Sequence, residues 1–390
     1  MTRPARLKLA TVCAFAVCAA SLTGAPRGVA AIATDSGVHT WLFDGSNTVV
    51  NNAAAATTVA KRNDVIVGVP GYGGYLGVMK AAHPGIIVAE YHKGTTVKSD
   101  FPWVYANHRD WLLKDAGGNI LKSSWGGYLI NPELSAVRQW EASYAQAQQA
   151  AGWTGIYMDA MGSMAFYGFR STPIDPQTGK AFTLDKWLAA TSGLATAVDQ
   201  AVTIPVIDNG LNNGTRYLLN THVLADVGQG GVFEGCFRDA TDGVGKWPSV
   251  TDWLNQVNAI ADVQSKGKLA LCLTKLWVSA TTAQRNQWQQ FALASFLLAK
   301  GSSADFMFMG SKTQNALATT NAGYPALGTA TSARTQQGST WVRHFQNGVV
   351  AVNPGGASAS LSLGGSFVDP SGRSVSSATV APHTGVIFTH

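Results

Sequence analysis

Six charged side chains stand at the ends of short apolar runs: Asp44, Glu90, Asp159, Asp208, Glu234 and Lys275. Gly155-Ile156-Tyr157-Met158 leads into Asp159, and Gly231-Val232-Phe233 leads into Glu234. An ionised carboxylate is costly to bury without partners, so each needs a reason to be there. Helix capping, pairing with a lysine or a structural network is the ordinary reason. The chemical reason is a pair. One carboxyl protonates a leaving oxygen while another attacks the anomeric carbon or activates water, which is the minimum for breaking a glycosidic bond. The two environments must push the pKa values apart.

Asp159 and Glu234 are the pair selected as catalytic. Asp44, Glu90, Asp208 and Asn209 rank second, as hydroxyl binders or supports. Tyr91, His92, Lys275, Trp125 and Trp277 complete the set expected to contact substrate, with Lys93 and His108 nearby. Trp103, Trp111 and Trp247 also fall in loops, where aromatic faces suit a sugar cleft. Trp140, Trp187, Trp253 and Trp288 fall on helical stretches and read as core.

The elements that must position these residues alternate. Apolar runs at Val38 to Asp44, Asp64 to Val69, Gly85 to Glu90, Gly155 to Asp159, Ile204 to Asn209, Gly231 to Glu234, Lys268 to Lys275 and Ala304 to Met309 read as eight strands. Helical stretches run from Asn51 to Ala60, Glu133 to Ala151, Leu184 to Ala201, Val250 to Gln264 and Thr282 to Ala299. Pro132 suits the first turn of the second of these, with Asn131 as its N-cap. Continuous apolar strands alternating with helices give a parallel sheet covered on both faces. Eight of them give an α/β fold, a (β/α)8 TIM barrel, with a doubly wound open sheet as the alternative. Chemistry in such a barrel sits at the carboxyl ends of the strands, and strands four and six lie two apart around it. The long segment Tyr91 to Ser124 after strand three suits a functional loop. After residue 335, alternating runs at Thr340 to Phe345, Gly348 to Asn353, Ala359 to Leu363 and Gly385 to Phe388 read as a small antiparallel β domain. The expected divisions are 1–33, 34–315 for the barrel, 316–334 for the join and 335–390 for the β domain.

Residues 1–33 read as a signal peptide. Arg3, Arg6 and Lys8 precede an apolar stretch from Leu9 to Leu22, and cleavage sites stand at Ala31 and Ala33. The stretch is short for a membrane span. Export makes the mature chain secreted, without a membrane anchor, and a monomer is expected. The chain of 390 residues is 46% hydrophobic and 13% charged, enough for a core. Its net charge of +6 falls to +2 once the four cations of 1–33 are removed, which argues against a nucleic-acid partner. Cys236 and Cys272 remain on neighbouring strands. Export permits a disulfide between them, while buried free thiols are the favoured reading. No metal or cofactor is expected: Asp239 to Gly243 is too irregular for a calcium loop.

Other classes fit less well. Gly71-Tyr72-Gly73-Gly74-Tyr75-Leu76-Gly77 misses the dinucleotide spacing by one residue. A Schiff-base lyase would use Lys275. A non-catalytic carbohydrate-binding barrel would keep the aromatic cleft without needing two acids.

The run His108-Arg109-Asp110-Trp111-Leu112-Leu113-Lys114-Asp115-Ala116-Gly117-Gly118-Asn119, followed by Tyr128-Leu129-Ile130-Asn131-Pro132 and Gly155-Ile156-Tyr157-Met158-Asp159, resembles secreted TIM-barrel glycosidases. It is similar to the hypothetical glycosyl hydrolase family 15 group, which is unrelated to glucoamylases, and more distantly to polygalactosaminidase-like barrels. Val232-Phe233-Glu234-Gly235-Cys236-Phe237 looks like that group's strand-six motif. Leu327-Gly328 and Trp341 to Pro354 resemble the join and tail of such enzymes. The resemblance implies a hydrolase barrel with carboxylates at Asp159 and Glu234, and it brings no substrate; a poly- or oligosaccharide is the substrate expected from the paired acids and the aromatic cleft. Met161 stands where α-galactosidase-type barrels carry a lysine, which sets the chain apart from them.

Overall fold

The computed structural model describes residues 38–45, 48–98, 101–311 and 324–390. The leader at 1–33 and part of the join at 316–334 lie outside the described residues.

Eight parallel strands form one sheet: β1 (Trp41–Asp44), β2 (Val65–Gly68), β3 (Ile87–Lys93), β4 (Gly155–Asp159), β5 (Val206–Leu211), β6 (Gly230–Phe233), β7 (Leu269–Lys275) and β8 (Ala304–Met309). They pair in chain order. The sheet closes through a bridge between Thr40 and Phe306, with the Phe306 amide donating to the His39 carbonyl at 3.0 Å. The fold is the expected TIM barrel, and closure excludes the open sheet.

Sequence alternation fills it. Phe43, Val67, Ala89, Tyr157, Ile207, Val232, Leu271 and Met307, one from each strand, meet in a single apolar cluster. Residues between them face the helices, because successive strand side chains point to opposite faces. β2 and β7 are buried at every position, as strands covered on both sides must be.

The surrounding helices include α1 (Ala53–Ala60), α2 (Leu76–Ala82), α3 (Ser135–Ala150), α4 (Leu184–Ala201), α5 (Gly214–Leu219), α6 (Val250–Ser265) and α7 (Thr282–Ala299). Asn52, Thr183, Ser249 and Thr281 each cap a helix by accepting the backbone amide three residues on. Asn131 does not cap α3. Its side chain accepts the Glu133 amide at 3.0 Å, making a turn around Pro132, and the helix starts at Ser135.

β3 and β5 run further than the sequence suggests, to Lys93 and Leu211. Glu90 and Asp208 therefore lie inside strands rather than at their ends.

The C-terminal sheet has six strands: β9 (Thr335–Gln337), β10 (Thr340–Phe345), β11 (Gly348–Asn353), β12 (Ala359–Val368), β13 (Ser374–Val380) and β14 (Thr384–Thr389). Their order is β9-β10-β11-β14-β12-β13, all antiparallel. β9 and β13 were not foreseen, because both are mostly polar and exposed. The sheet is seated on α7. Val350 and Val352 share a buried cluster with Trp288, Phe291 and Ala294. At Gly385 an added Cβ would lie 2.5 Å from the Ala294 side chain and 2.6 Å from the Gln290 carbonyl oxygen, so only glycine lets β14 approach so closely.

Candidate active site

β4 ends on Asp159, and β6 delivers Glu234 one residue past its last position. Asn209 of β5 stands between them. Its amide nitrogen donates to Asp159 Oδ1 at 2.8 Å and to Glu234 Oε2 at 3.1 Å. Two bonds of that length from one nitrogen hold the facing oxygens within about 6 Å of each other. The Tyr91 hydroxyl donates to Asp159 Oδ2 at 2.5 Å, and Lys275 Nζ donates to Glu234 Oε1 at 2.7 Å. Trp277 lies beside this lysine, with its ring centroid 4.5 Å from Nζ.

The two carboxyls are pushed in opposite directions. Burial and the negative charge of Glu234 raise Asp159, against the hydrogen bonds from Tyr91 and Asn209. Burial also works upward on Glu234, but the Lys275 charge and the hydrogen bonds from Lys275 and Asn209 outweigh it, and its pKa falls below the ordinary value. A proton shared by the pair therefore rests on Asp159 and leaves Glu234 ionised. Beneath them Tyr157 is held neutral by burial and by the charges of Asp159 and Glu234. Its ring stacks on Tyr91 with centroids 5.8 Å apart.

Local backbone geometry holds these positions. Ala160 takes φ 64° directly after Asp159, and Phe237 takes φ 64° three residues after Glu234. Left-handed backbone costs a non-glycine residue about 1–3 kcal/mol, so surrounding contacts must enforce it. The Ala160 carbonyl accepts the Thr95 hydroxyl at 2.7 Å, and the Met161 amide donates to the Asn209 carbonyl at 3.0 Å.

Cys236 and Cys272 form a disulfide, contrary to the favoured reading of free thiols. Their Cα atoms are 5.5 Å apart on neighbouring elements, within the span a disulfide bridges. The bond ties the segment carrying Glu234 to β7. The Cys236 amide donates to the Leu273 carbonyl at 3.0 Å, and Thr274 Oγ1 donates to the Cys236 carbonyl at 2.9 Å.

Of the residues singled out from sequence, the structure brings Tyr91, Asn209, Lys275 and Trp277 to the pair. Strand alternation turns Glu90, His92 and Asp208 to the helix side. Glu90 Oε1 accepts the Tyr144 hydroxyl at 2.7 Å, and His92 Nε2 meets Glu141 Oε2 at 2.5 Å. His92 also stacks on Tyr144, so it is not at the mouth. Asp208 is fully buried, and burial, then the charge of the nearby Asp199, push its pKa well above the ordinary value against the pull of Lys268. Asp44 is buried, accepting the Val49 amide at 2.8 Å and the Tyr72 hydroxyl at 2.5 Å. Trp125 is 42% exposed, at the turn joining Lys122 to Tyr128. Trp111 is buried beside Trp103 and Trp140. Trp247 stacks between Trp288 and His383, so it joins the barrel to the tail rather than facing the cleft.

Sequence reading missed Ser163, Asn212, Arg216 and Asp239, which line the recess beside Glu234 together with Asn209. They belong to loops and the six-residue α5, where no periodicity marks a functional face.

Residues 86–349 match the model of the hypothetical glycosyl hydrolase family 15. No curated protein matches. Among solved structures, the trehalose-6-phosphate hydrolase of Bacillus licheniformis aligns with 10% identity over 91% of this chain and 99% of its own, with a TM-score of 0.53. The debranching enzyme of Nostoc punctiforme aligns with 11% identity over 92% and 98%, with a TM-score of 0.52. The glycoside hydrolase domain of PelA from Pseudomonas aeruginosa aligns with 12% identity over 70% and 94%, with a TM-score of 0.47. The first two likenesses show the barrel, and the family match shows the class: the chain belongs to the hypothetical glycosyl hydrolase family 15 and is a glycosidase.

Proposed function

We propose that the protein is a secreted glycosidase that hydrolyses O-glycosidic bonds of a poly- or oligosaccharide with Asp159 and Glu234. The observation that carries this reading is the shared donor: Asn209 bonds both carboxyls at once, while Lys275 keeps one of them ionised. Asp159, holding the proton, donates it to the leaving oxygen. Glu234, ionised, attacks the anomeric carbon. Water then hydrolyses the glycosyl–Glu234 ester, with Asp159 now acting as base. This retaining course uses a pair standing about 5–5.5 Å apart, and the single Asn209 nitrogen bonded to both carboxyls keeps their facing oxygens close. Trp277 and the recess past Asn212 and Arg216 supply sugar contacts.

Secretion is supported by the 1–33 leader and by the Cys236–Cys272 disulfide, which suits an oxidising compartment. No helix among the described residues is long and apolar enough to cross a membrane. The 34–315 barrel carries the chemistry and the 335–390 sheet supports α7.

Aryl glycosides of graded leaving-group acidity test the division of roles. Asp159→Asn should lose least on a dinitrophenyl glycoside, which needs no protonation, whereas Glu234→Gln should lose activity on every substrate. NMR of the first-formed sugar should show the substrate's own anomer. The reverse pattern, or the opposite anomer, would overturn this assignment.

A further inference from the structure

The segment between β3 and β4 builds a second feature, away from the carboxyl pair. Tyr105, Arg109, Lys114, Asn119, Lys122 and Tyr128 line an open recess with three cations and no acid among the lining side chains. The Tyr105 and Tyr128 rings stack with centroids 4.4 Å apart. Arg109 lies over the Tyr105 ring at 4.7 Å and Lys122 over the Tyr128 ring at 5.2 Å. The tyrosine stack thus holds two cations in place. Among the described residues, none of the three cations forms a salt bridge. The neighbouring Asp115 does not neutralise them: its Oδ1 accepts the Gly117 and Asn119 amides, both at 2.9 Å, within its own turn.

The segment that carries the recess is tied to the chain following β4. The Thr95 hydroxyl, where this segment begins, bonds the carbonyl of Ala160, the residue after Asp159. The Lys114 carbonyl accepts the Ile174 amide at 2.8 Å, from the loop that follows β4. The exposed Trp125 stands at the tip of the same segment, three residues from both Lys122 and Tyr128.

We propose that this recess binds an anionic stretch of polysaccharide, its carboxylate or sulfate groups meeting Arg109, Lys114 and Lys122 while a sugar face lies on the exposed Trp125. Like charges gathered without a counter-ion favour an anion, and aromatic faces beside them favour a sugar backbone over a free ion. The inference rests on the polysaccharide reading above, and assigns the polymer's charge away from the bond that is cut.

Affinity electrophoresis of the full chain in gels containing polygalacturonate, dextran sulfate or dextran tests it. At physiological ionic strength, polygalacturonate, dextran sulfate or both should retard the protein, and dextran should not. The carboxylate and sulfate arms identify the anion. R109Q/K114Q/K122Q should weaken that retardation about tenfold, with turnover of a short neutral glycoside unchanged. A control of equal charge loss at exposed cations elsewhere, K61Q/R62Q/K80Q, should bind as the parent does. Binding should persist in Asp159→Asn, so failure of the catalytic assignment would leave this result standing. Equal weakening in both triple variants, no preference for either polyanion over dextran, or stronger retardation by RNA than by either glycan would overturn the proposal.

Discussion

Asn209 is the residue on which the candidate site turns, because one amide nitrogen serves two carboxyls whose pKa values are pushed in opposite directions. The sequence ranks it level with Asp208, its neighbour, yet the two point to opposite faces. Which face a strand residue takes depends on the register of alternation, and a one-residue shift exchanges them. Glu90 and His92 were misplaced for the same reason: β3 continues to Lys93, so Tyr91 faces the cleft and its flanking residues face α3. Asp159 and Glu234 were legible because each ends an apolar run that has no other use for a charge. Lys275 was legible as a strand-end cation, but not its partner. Its role makes a pH prediction. Lys275 lowers the Glu234 pKa, so Lys275→Met should raise it. As the proposed nucleophile Glu234 must be ionised, so the acidic limb of the kcat/KM profile should move to higher pH by about one unit. An unmoved limb would mean that the ammonium does not tune Glu234. Borohydride treatment in the presence of substrate should leave no adduct on Lys275, whereas a Schiff-base lyase would be trapped as one.

Strands and helices were legible where their patterns were strong. β4 and α7 match their sequence reading at both ends, since glycines bound the first and a reciprocal Thr281–Gln284 cap opens the second. β9 and β13 were not legible, because their polar, exposed residues carry no alternation and only pairing with neighbours makes them strands. The disulfide was permitted by sequence but not compelled by it. Two cysteines on adjacent strands meet only if the register brings them level, and here the loop after β6 carries Cys236 back beside Cys272. The bond closes a loop with a sequence separation of 36 residues. Chain entropy alone then assigns it about 4 kcal/mol. Replacing both cysteines by alanine should lower unfolding stability by about 2–5 kcal/mol in denaturant titrations. It should also reduce kcat more than it raises KM, because the bond fixes the segment carrying Glu234. A variant of parental stability and kcat would show that the backbone bonds of Cys236 suffice.

Across the whole molecule the two ends of the barrel carry charge differently. The carboxyl end exposes its acids to the cleft. The opposite end buries Asp305 beside Asp64, with His39 and Lys300 nearby. Burial first, then the Asp64 charge, raise Asp305 to about 8, against the pull of His39 and Lys300. A carboxyl whose folded pKa exceeds its unfolded value binds more protons when folded. Its stabilising effect is full below the unfolded value of 3.8 and is lost as pH rises through about 8. Asp305→Asn should therefore be more stable than the parent at pH 8, by about 1–3 kcal/mol, and close to it at pH 4. Parallel stability–pH curves for the two would contradict that account of the buried carboxyl. The proposed hydrolysis takes place at the other end, on the carboxyl pair. Its most direct test is reducing-end release from a hydrolysed polysaccharide by the parent, Asp159→Asn and Glu234→Gln, with melting temperatures measured beside it. Both variants should lose ~10²–10⁴-fold in kcat/KM while melting as the parent does. Parental turnover in either variant would show that the carboxyl pair does not carry the reaction.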